Sequence, residues 1–379
     1  MRPIRVLHFR REVPTGGGPE TLILGVSRCI DRSRFDLRVA ALDTHSPPDS
    51  PMSVGLRQTG TPMILLPARH RFDRSVIRGL VRVLDEHEID VLHTHDHRTN
   101  LIAWLASRSR PTPLVATLHQ PLRRHWWLKH FEILDEFIVR RFDRILPVAE
   151  MIRQELIARH PELTDRTRAV LNGVDLRRFD GTFDRARVRA ELSVSPDQML
   201  CMTVGRLSDD KGIPYLVESI RHVIQVRRDV RWAIAGRGPL EDSLRAKAHA
   251  LGVDDFVSFL GFREDVPDLL AAADVLVVAS TSEGCPVVVL EAMAAGCPAI
   301  CTRVGGSPEI VADGTTGYVV EPRRPDQLAK AVLEMAAGPG ARAEMGRRAR
   351  QLVRERFSIE RMVREFEEVY ADLAGRSGS

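Results

Sequence analysis

The chain has 379 residues, 44% of them hydrophobic and 28% charged, with a formal net charge of +4 and a sequence pI near 9.0. That length exceeds one ordinary core and points to about two domains, and the composition excludes a disordered chain. Basic residues are scattered instead of gathered into a tract, so an anionic ligand is accommodated and nucleic acid is not an expected partner.

In chain order, the N-terminal MRPIRVLHFRR closes a short apolar run with arginines at once, unlike a signal peptide. Short apolar runs then alternate with segments of helical period. Strands are predicted at Ile4–Phe9, Leu37–Leu42, Met63–Leu66, Val91–Thr94, Leu114–Thr117, Ile145–Pro147 and Arg168–Leu171, with amphipathic stretches such as Ser75–Glu88 and Met151–Arg159 between them. A polar stretch rich in arginine and aspartate follows Asn172 and runs to about Asp197. The rhythm then restarts, with strands predicted at Leu200–Val204, Val230–Ala235, Val257–Phe259, Val275–Ala279, Ala299–Thr302 and Gly317–Val319. Two sets of βα units joined by a polar link predict two doubly wound Rossmann-like domains, residues 1–176 and 177–357, each with a parallel sheet. The amphipathic segment Ile359–Leu373, apolar through Met362, Phe366, Val369 and Leu373, reads as a docking helix. In such folds ligands bind at the carboxyl ends of the strands, so a site is expected between facing domains.

No apolar stretch reaches bilayer length, and the five cysteines, Cys29, Cys201, Cys285, Cys297 and Cys301, are widely spaced among apolar neighbours. A reduced, cytoplasmic protein is the expectation, and the cysteine spacing gives no zinc signature.

Three segments carry candidate chemistry. Gly16, Gly17 and Gly18 follow the first strand and precede a helix, an arrangement that either brings backbone close to an anion or makes an ordinary tight turn. In VGRLSDDKG, Arg206 and Lys211 stand just after a strand and are placed to hold a diphosphate, or else are solvated charges beside Asp209 and Asp210. In STSEGCPVVVLEAMAAGCPAI, Glu283 lies in a loop, Pro286 suits the first turn of a helix, and Glu291 sits in an otherwise apolar helix where an unsatisfied carboxylate is costly. Paired carboxylates near Gly284, Cys285 and the N–H of Val287 suit the vicinal hydroxyls of a sugar or ribose; the bland alternative is a helix-capping pair.

VGRLSDDKG, EGCPVVVLEAMAAGCP and GGSPEIVADGTTGYVVEP, with the Gly-rich loop, DVLHTH, VATLH and VLNGVD in the first half, resemble the retaining family 4 glycosyltransferases of GT-B fold. Their Glu, seven residues, Glu hallmark is matched by Glu283 and Glu291. The resemblance covers nearly the whole chain and implies a retaining transfer from a UDP- or GDP-sugar to a saccharide or lipid-linked glycan. It implies that Arg206 and Lys211 hold the donor diphosphate, that Glu283 and the backbone of Gly284, Cys285, Pro286 and Val287 face the sugar, and that Glu291 binds the ribose. Phe262 and Arg263 match the segment whose backbone meets the base, Gly17 and Gly18 the loop closing over the diphosphate, and His119 the histidine near the transferred sugar. His119 as an ordinary loop histidine stays open. No Asp-x-Asp occurs, so no metal and no cofactor beyond the sugar nucleotide is expected. Same-fold enzyme alternatives are a nucleotide-sugar epimerase or a phosphorylase, and an alternative of a different class is a non-catalytic sugar-nucleotide-binding module.

Two features stay outside that scheme. His93, His95 and His97 alternate, which on a strand places them on one face and invites a metal reading; the family scheme makes this an ordinary strand running into the site. Residues 123–144 mix Arg123, Arg124, Trp126, Trp127, Lys129, His130 and Phe131 with a following amphipathic segment, suited either to peripheral contact with an anionic membrane or to packing on the first sheet.

Overall fold

The computed structural model describes residues 2–11, 17–43, 50–70, 73–120 and 129–376. Two compact units divide the chain: residues 1–173 with 359–379, and residues 174–358. The sequence reading put the boundary after residue 176. It falls earlier because the Val174 N–H donates to the Phe357 carbonyl at 2.9 Å and Val174 bridges Ser358, which ties the outgoing chain to the returning one.

Among its described residues the first unit has six strands: β1 (Ile4–Arg11), β2 (Phe35–Asp43), β3 (Met63–Pro67), β4 (Val91–Thr94), β5 (Leu114–Leu118) and β6 (Arg144–Pro147). All pair in parallel, in the order β3-β2-β1-β4-β5-β6. β4 and β5 are buried throughout and β1 from Val6 to Arg10, which is why these strands read as apolar runs and not as alternations. Leu22, Ile23 and Val26 of the helix Gly18–Cys29 and Met362, Phe366, Tyr370 and Leu373 of the helix Ile359–Arg376 share one core with Val6, Val39 and Val115. The C-terminal helix is therefore an integral layer of the first unit. The segment Arg168–Leu171 is not a strand. It follows β6 by only two N–H bonds, from Arg168 to Ile145 and from Val170 to Pro147, and one bridge at Thr167.

The second unit repeats the plan with β7 (Met199–Val204), β8 (Val230–Ala235), β9 (Val257–Gly261), β10 (Val275–Val278), β11 (Ala299–Thr302) and β12 (Gly317–Val320). The order is β12-β11-β10-β7-β8-β9, again all parallel. Each sheet reverses its direction of growth once, between β1 and β4 and between β7 and β10. In open sheets of this kind ligands bind at such switch points, at the strands' carboxyl ends.

Candidate active site

In the second unit, the loops after β7 and β10 meet at the switch point. The Asp210 carbonyl accepts from the N–H of Thr281 at 2.8 Å and of Ser282 at 3.3 Å, which ties the two loops together. Gly212, with φ 61°, makes this approach feasible, since a Cβ there would lie 2.0 Å from the Ala279 carbonyl oxygen. The same join brings Lys211 to Glu283. Lys211 Nζ donates to Glu283 Oε1 at 2.6 Å, and Ser280 Oγ donates to the same oxygen at 2.7 Å. Glu283 is 7% exposed, and its Oε2 takes no hydrogen bond from the described residues. One carboxylate oxygen is thus anchored and the other remains for a ligand.

Arg206 stands at the same edge. Its Nε donates to Ser208 Oγ at 3.1 Å and its side chain is 64% exposed, so its charge is available to an anion. Asp210, at 3.4 Å, offsets it only partly. Gly284, Cys285 and Pro286 lead into the helix Val287–Ala294, with Pro286 as its N-cap residue and not its first helical one. By helix geometry the first-turn N–H groups of Val287 and Val288 have no acceptor within the helix, which makes this end suited to oxygen atoms of a ligand. The Gly284 carbonyl accepts from Gly306 N–H at 2.5 Å, fixing the loop against the segment after β11.

Glu291 follows on that helix and is paired: Arg178 Nη1 donates to its Oε1 at 2.9 Å. Burial pushes its carboxyl up from the ordinary range, opposed by the Arg178 charge and hydrogen bond. Sequence reasoning passed over Arg178 as one of many linker charges. Its position in the short turn Leu176–Phe179, packed on the Glu291 helix, singles it out. Phe262 is 55% exposed just beyond β9. Arg263 makes a two-pronged pair with Asp265 (2.7 and 2.6 Å) and a further bond to Glu191, so its guanidinium is spent internally.

In the first unit, Gly17 is the N-cap of the helix Gly18–Cys29, with Pro19 in the first turn; Gly16 lies outside the described residues. Arg10, at the end of β1, donates to buried Glu20 at 2.5 Å. His119 follows β5, and its Nε2 lies 3.2 Å from His95 Nδ1. Burial, with Arg10 nearby, lowers His119 to about 3, so its ring is neutral.

His93, His95 and His97 do not share a face. The strand β4 ends at Thr94, and His97 opens the helix His97–Ser107, where its Nδ1 pairs with Asp135 at 2.7 Å. The third member of the cluster is His8, in register with His93 across the β1–β4 pairing. One ring nitrogen from each of His8, His93 and His95 lies within 4.8 Å of the other two, and all six nitrogens of the three rings are engaged, with one another, His119, Tyr370 or Thr117. Of the segment 123–144, residues 121–128 lie outside the described residues. Beyond them, the helix Lys129–Val139 leaves Ile133, Leu134 and Phe137 44–45% exposed, with the Arg141 guanidinium over the Phe137 ring. Among the described residues no helix is long and apolar enough to cross a membrane.

Residues 184–352 match the model of the glycosyl transferases group 1, and residues 16–178 that of glycosyltransferase family 4. The D-inositol 3-phosphate glycosyltransferase of Saccharomonospora viridis is 31% identical over 304 residues, covering 75% of this chain and 70% of that protein. The chain belongs to the group 1 glycosyltransferases. The N-acetyl-alpha-D-glucosaminyl L-malate synthase of Bacillus anthracis is 26% identical over 309 residues, 80% of each chain. Among solved structures, Anabaena HepE in complex with UDP-glucose superposes with a TM-score of 0.86 at 21% identity, covering 97% of this glycosyltransferase and 99% of HepE. That likeness establishes the GT-B fold.

Proposed function

We propose that this glycosyltransferase takes its sugar from a UDP- or GDP-sugar, retains the anomeric configuration and delivers the sugar to a saccharide or lipid-linked glycan. The observation that carries the reading is the anchored Lys211–Glu283–Ser280 group beside exposed Arg206. Cations and a half-free carboxylate at one strand edge suit a diphosphate and the hydroxyls of its sugar together. HepE has been seen with UDP-glucose, and this donor class heads the panel to test.

Glu283, held by two donors on one oxygen, suits hydroxyl recognition better than covalent attack. Transfer is then front-sided: the bond from the anomeric carbon to the phosphate oxygen breaks, the acceptor oxygen bonds on the same face, and its proton passes to the departing phosphate. Arg206 and Lys211 stabilise the charge that develops on that phosphate without a metal ion.

The test is donor-dependent thermal shift and product stereochemistry. One donor of a UDP- and GDP-sugar panel, at a hundred times its dissociation constant, is expected to add about 2.7 kcal/mol. Arg206→Ala is expected to lose that effect. The product bond, read by proton coupling at the anomeric carbon, should keep the donor's configuration. An inverted product, or a shift undiminished in Arg206→Ala, refutes the reading.

For the acceptor, the exposed Ile133, Leu134 and Phe137 beside Arg141 suit peripheral contact with an anionic bilayer. Co-sedimentation with phosphatidylglycerol vesicles is expected, and to fall in Phe137→Asp. Binding equal to that on phosphatidylcholine vesicles, or insensitive to Phe137→Asp, removes the membrane from the proposal.

A further inference from the structure

Strand periodicity builds the starting point. In β1, Val6, His8 and Arg10 share a face, and the register pairs His8 with His93 of β4, which in turn pairs with Val115 of β5. Two residues beyond Val115, Thr117 reaches the same face, and Tyr370 of the C-terminal helix closes over the group. The contacts form one unbranched chain. Thr117 Oγ lies 2.7 Å from His93 Nε2, and His93 Nδ1 lies 2.7 Å from the Tyr370 hydroxyl. That hydroxyl lies 2.9 Å from His8 Nε2, His8 Nδ1 lies 3.0 Å from His95 Nε2, and His95 Nδ1 lies 3.2 Å from His119 Nε2.

A neutral imidazole donates from one nitrogen and accepts at the other, and a tyrosine hydroxyl has a single proton to donate. Following these rules along the chain leaves three arrangements. All four imidazoles carry their proton on Nδ1, or all four carry it on Nε2, or His93 carries it on Nδ1 and the other three on Nε2, with the Tyr370 oxygen accepting from both His93 and His8. The third leaves the proton of the fully buried Tyr370 hydroxyl without an acceptor among the described residues, at the cost of an unsatisfied buried group. Thr117 selects between the other two. It is buried, and among the described residues its hydroxyl has no acceptor other than His93 Nε2. In the Nε2–H arrangement that position is a donor, and the Thr117 hydroxyl proton is stranded, at the cost of an unsatisfied buried group. In the Nδ1–H arrangement Thr117 donates to His93, His93 to Tyr370, Tyr370 to His8, His8 to His95, and His95 to His119. Neutral rings are what burial favours: it lowers His8 to about 3 and holds His93 and His95 well below their ordinary value.

We propose that Thr117 and Tyr370 are positioning residues which, through His93, His8 and His95, fix His119 as the Nδ1–H tautomer and so as a hydrogen-bond donor to substrate oxygen. His119 Nε2 is occupied by His95, so Nδ1 is the ring nitrogen left for a ligand, and it carries the proton. His119 then steadies an oxygen of the sugar or phosphate and does not abstract the acceptor proton. This role at the substrate rests on the transferase reading above; the tautomer assignment does not.

The experiment is a long-range proton–nitrogen correlation on the full chain labelled with 15N-histidine, at pH 7, alongside donor turnover. His8, His93, His95 and His119 are expected to appear as neutral Nδ1–H rings. A single one of them found as Nε2–H or as an imidazolium overturns the inference. Thr117→Ser keeps the hydroxyl and should keep the pattern. Thr117→Val and Tyr370→Phe each cut the chain, and His119 should become a mixture of tautomers, with kcat following its remaining Nδ1–H fraction. A uniform Nδ1–H pattern surviving in both variants overturns it as well. Should Tyr370→Phe fail to fold, the wild type and the Thr117 pair decide. Uniform Nδ1–H rings in a protein that transfers no sugar would sink the transferase reading and leave the tautomer lock standing; mixed rings in an active wild type would do the reverse.

Discussion

Replacing Lys211 by alanine is expected to lower kcat for sugar transfer by about two to three orders of magnitude, the usual cost of removing one charge stabiliser from a reacting centre. Two losses coincide in this variant. On the proposed mechanism the departing phosphate forfeits a stabilising cation, and Glu283, 7% exposed, keeps only Ser280 as partner on Oε1. A buried carboxylate deprived of its charge partner is poorly compensated, so the Glu283 side chain is expected to shift as well. Lys211→Arg should not restore the wild-type rate, because a planar fork replaces a compact ammonium at a 2.6 Å contact. The measurement is steady-state kinetics with the donor that stabilises the protein, with far-UV dichroism to show that the fold persists. A kcat within about threefold of wild type would remove Lys211 from the transition state.

Gly212→Ala is expected to damage the second unit severely for a single methyl, costing about 2–4 kcal/mol by strain and overpacking together. Its φ of 61° disfavours a side chain, and the added Cβ would sit 2.0 Å from the Ala279 carbonyl oxygen, a backbone atom that cannot swing aside. Relief requires the loops after β7 and β10 to part, which pulls Lys211 from Glu283. Gly252→Ala supplies the control. Gly252 has a φ of 64° and nothing within 4 Å of its added Cβ, so it carries the strain without the clash, about 1 kcal/mol. Thermal denaturation of both variants separates the two contributions. Equal melting temperatures would mean that the loops yield freely and that Gly212 does not hold the site together.

The strands of both sheets were legible because a parallel sheet covered on both faces leaves continuous apolar runs in the sequence. Arg168–Leu171 misled for the same reason read backwards: an apolar run beside a sheet looks like a strand, and whether it gains a full ladder depends on a neighbour the sequence does not name. That Arg206, Lys211 and Glu283 follow strand ends and that Glu291 sits in an apolar helix was legible in the sequence, while their roles came only as what the family resemblance implies. Their spacing did not disclose that Lys211 and Glu283 are partners, nor that Arg178, more than a hundred residues from Glu291, is the cation at that carboxylate.

What the sequence determined by itself, then, was local periodicity, two βα repeats and the motifs at their strand ends, because these depend on residues close together in the chain. Pairing across the sheets was decided only in three dimensions. His97 alternates with His93 and His95 in sequence, yet the strand stops at Thr94 and the capping Asp96, which accepts from the N–H groups of Arg98 and Thr99, turns the chain into a helix. His8, some 85 residues earlier, takes the vacant place in the cluster through register with His93, and Tyr370, 277 residues later, links the two by its hydroxyl. A hydrogen-bond chain drawn from three strands and the last helix leaves no spacing to read, because its order is set by strand order and register, which side-chain packing fixes only once the sheet has formed.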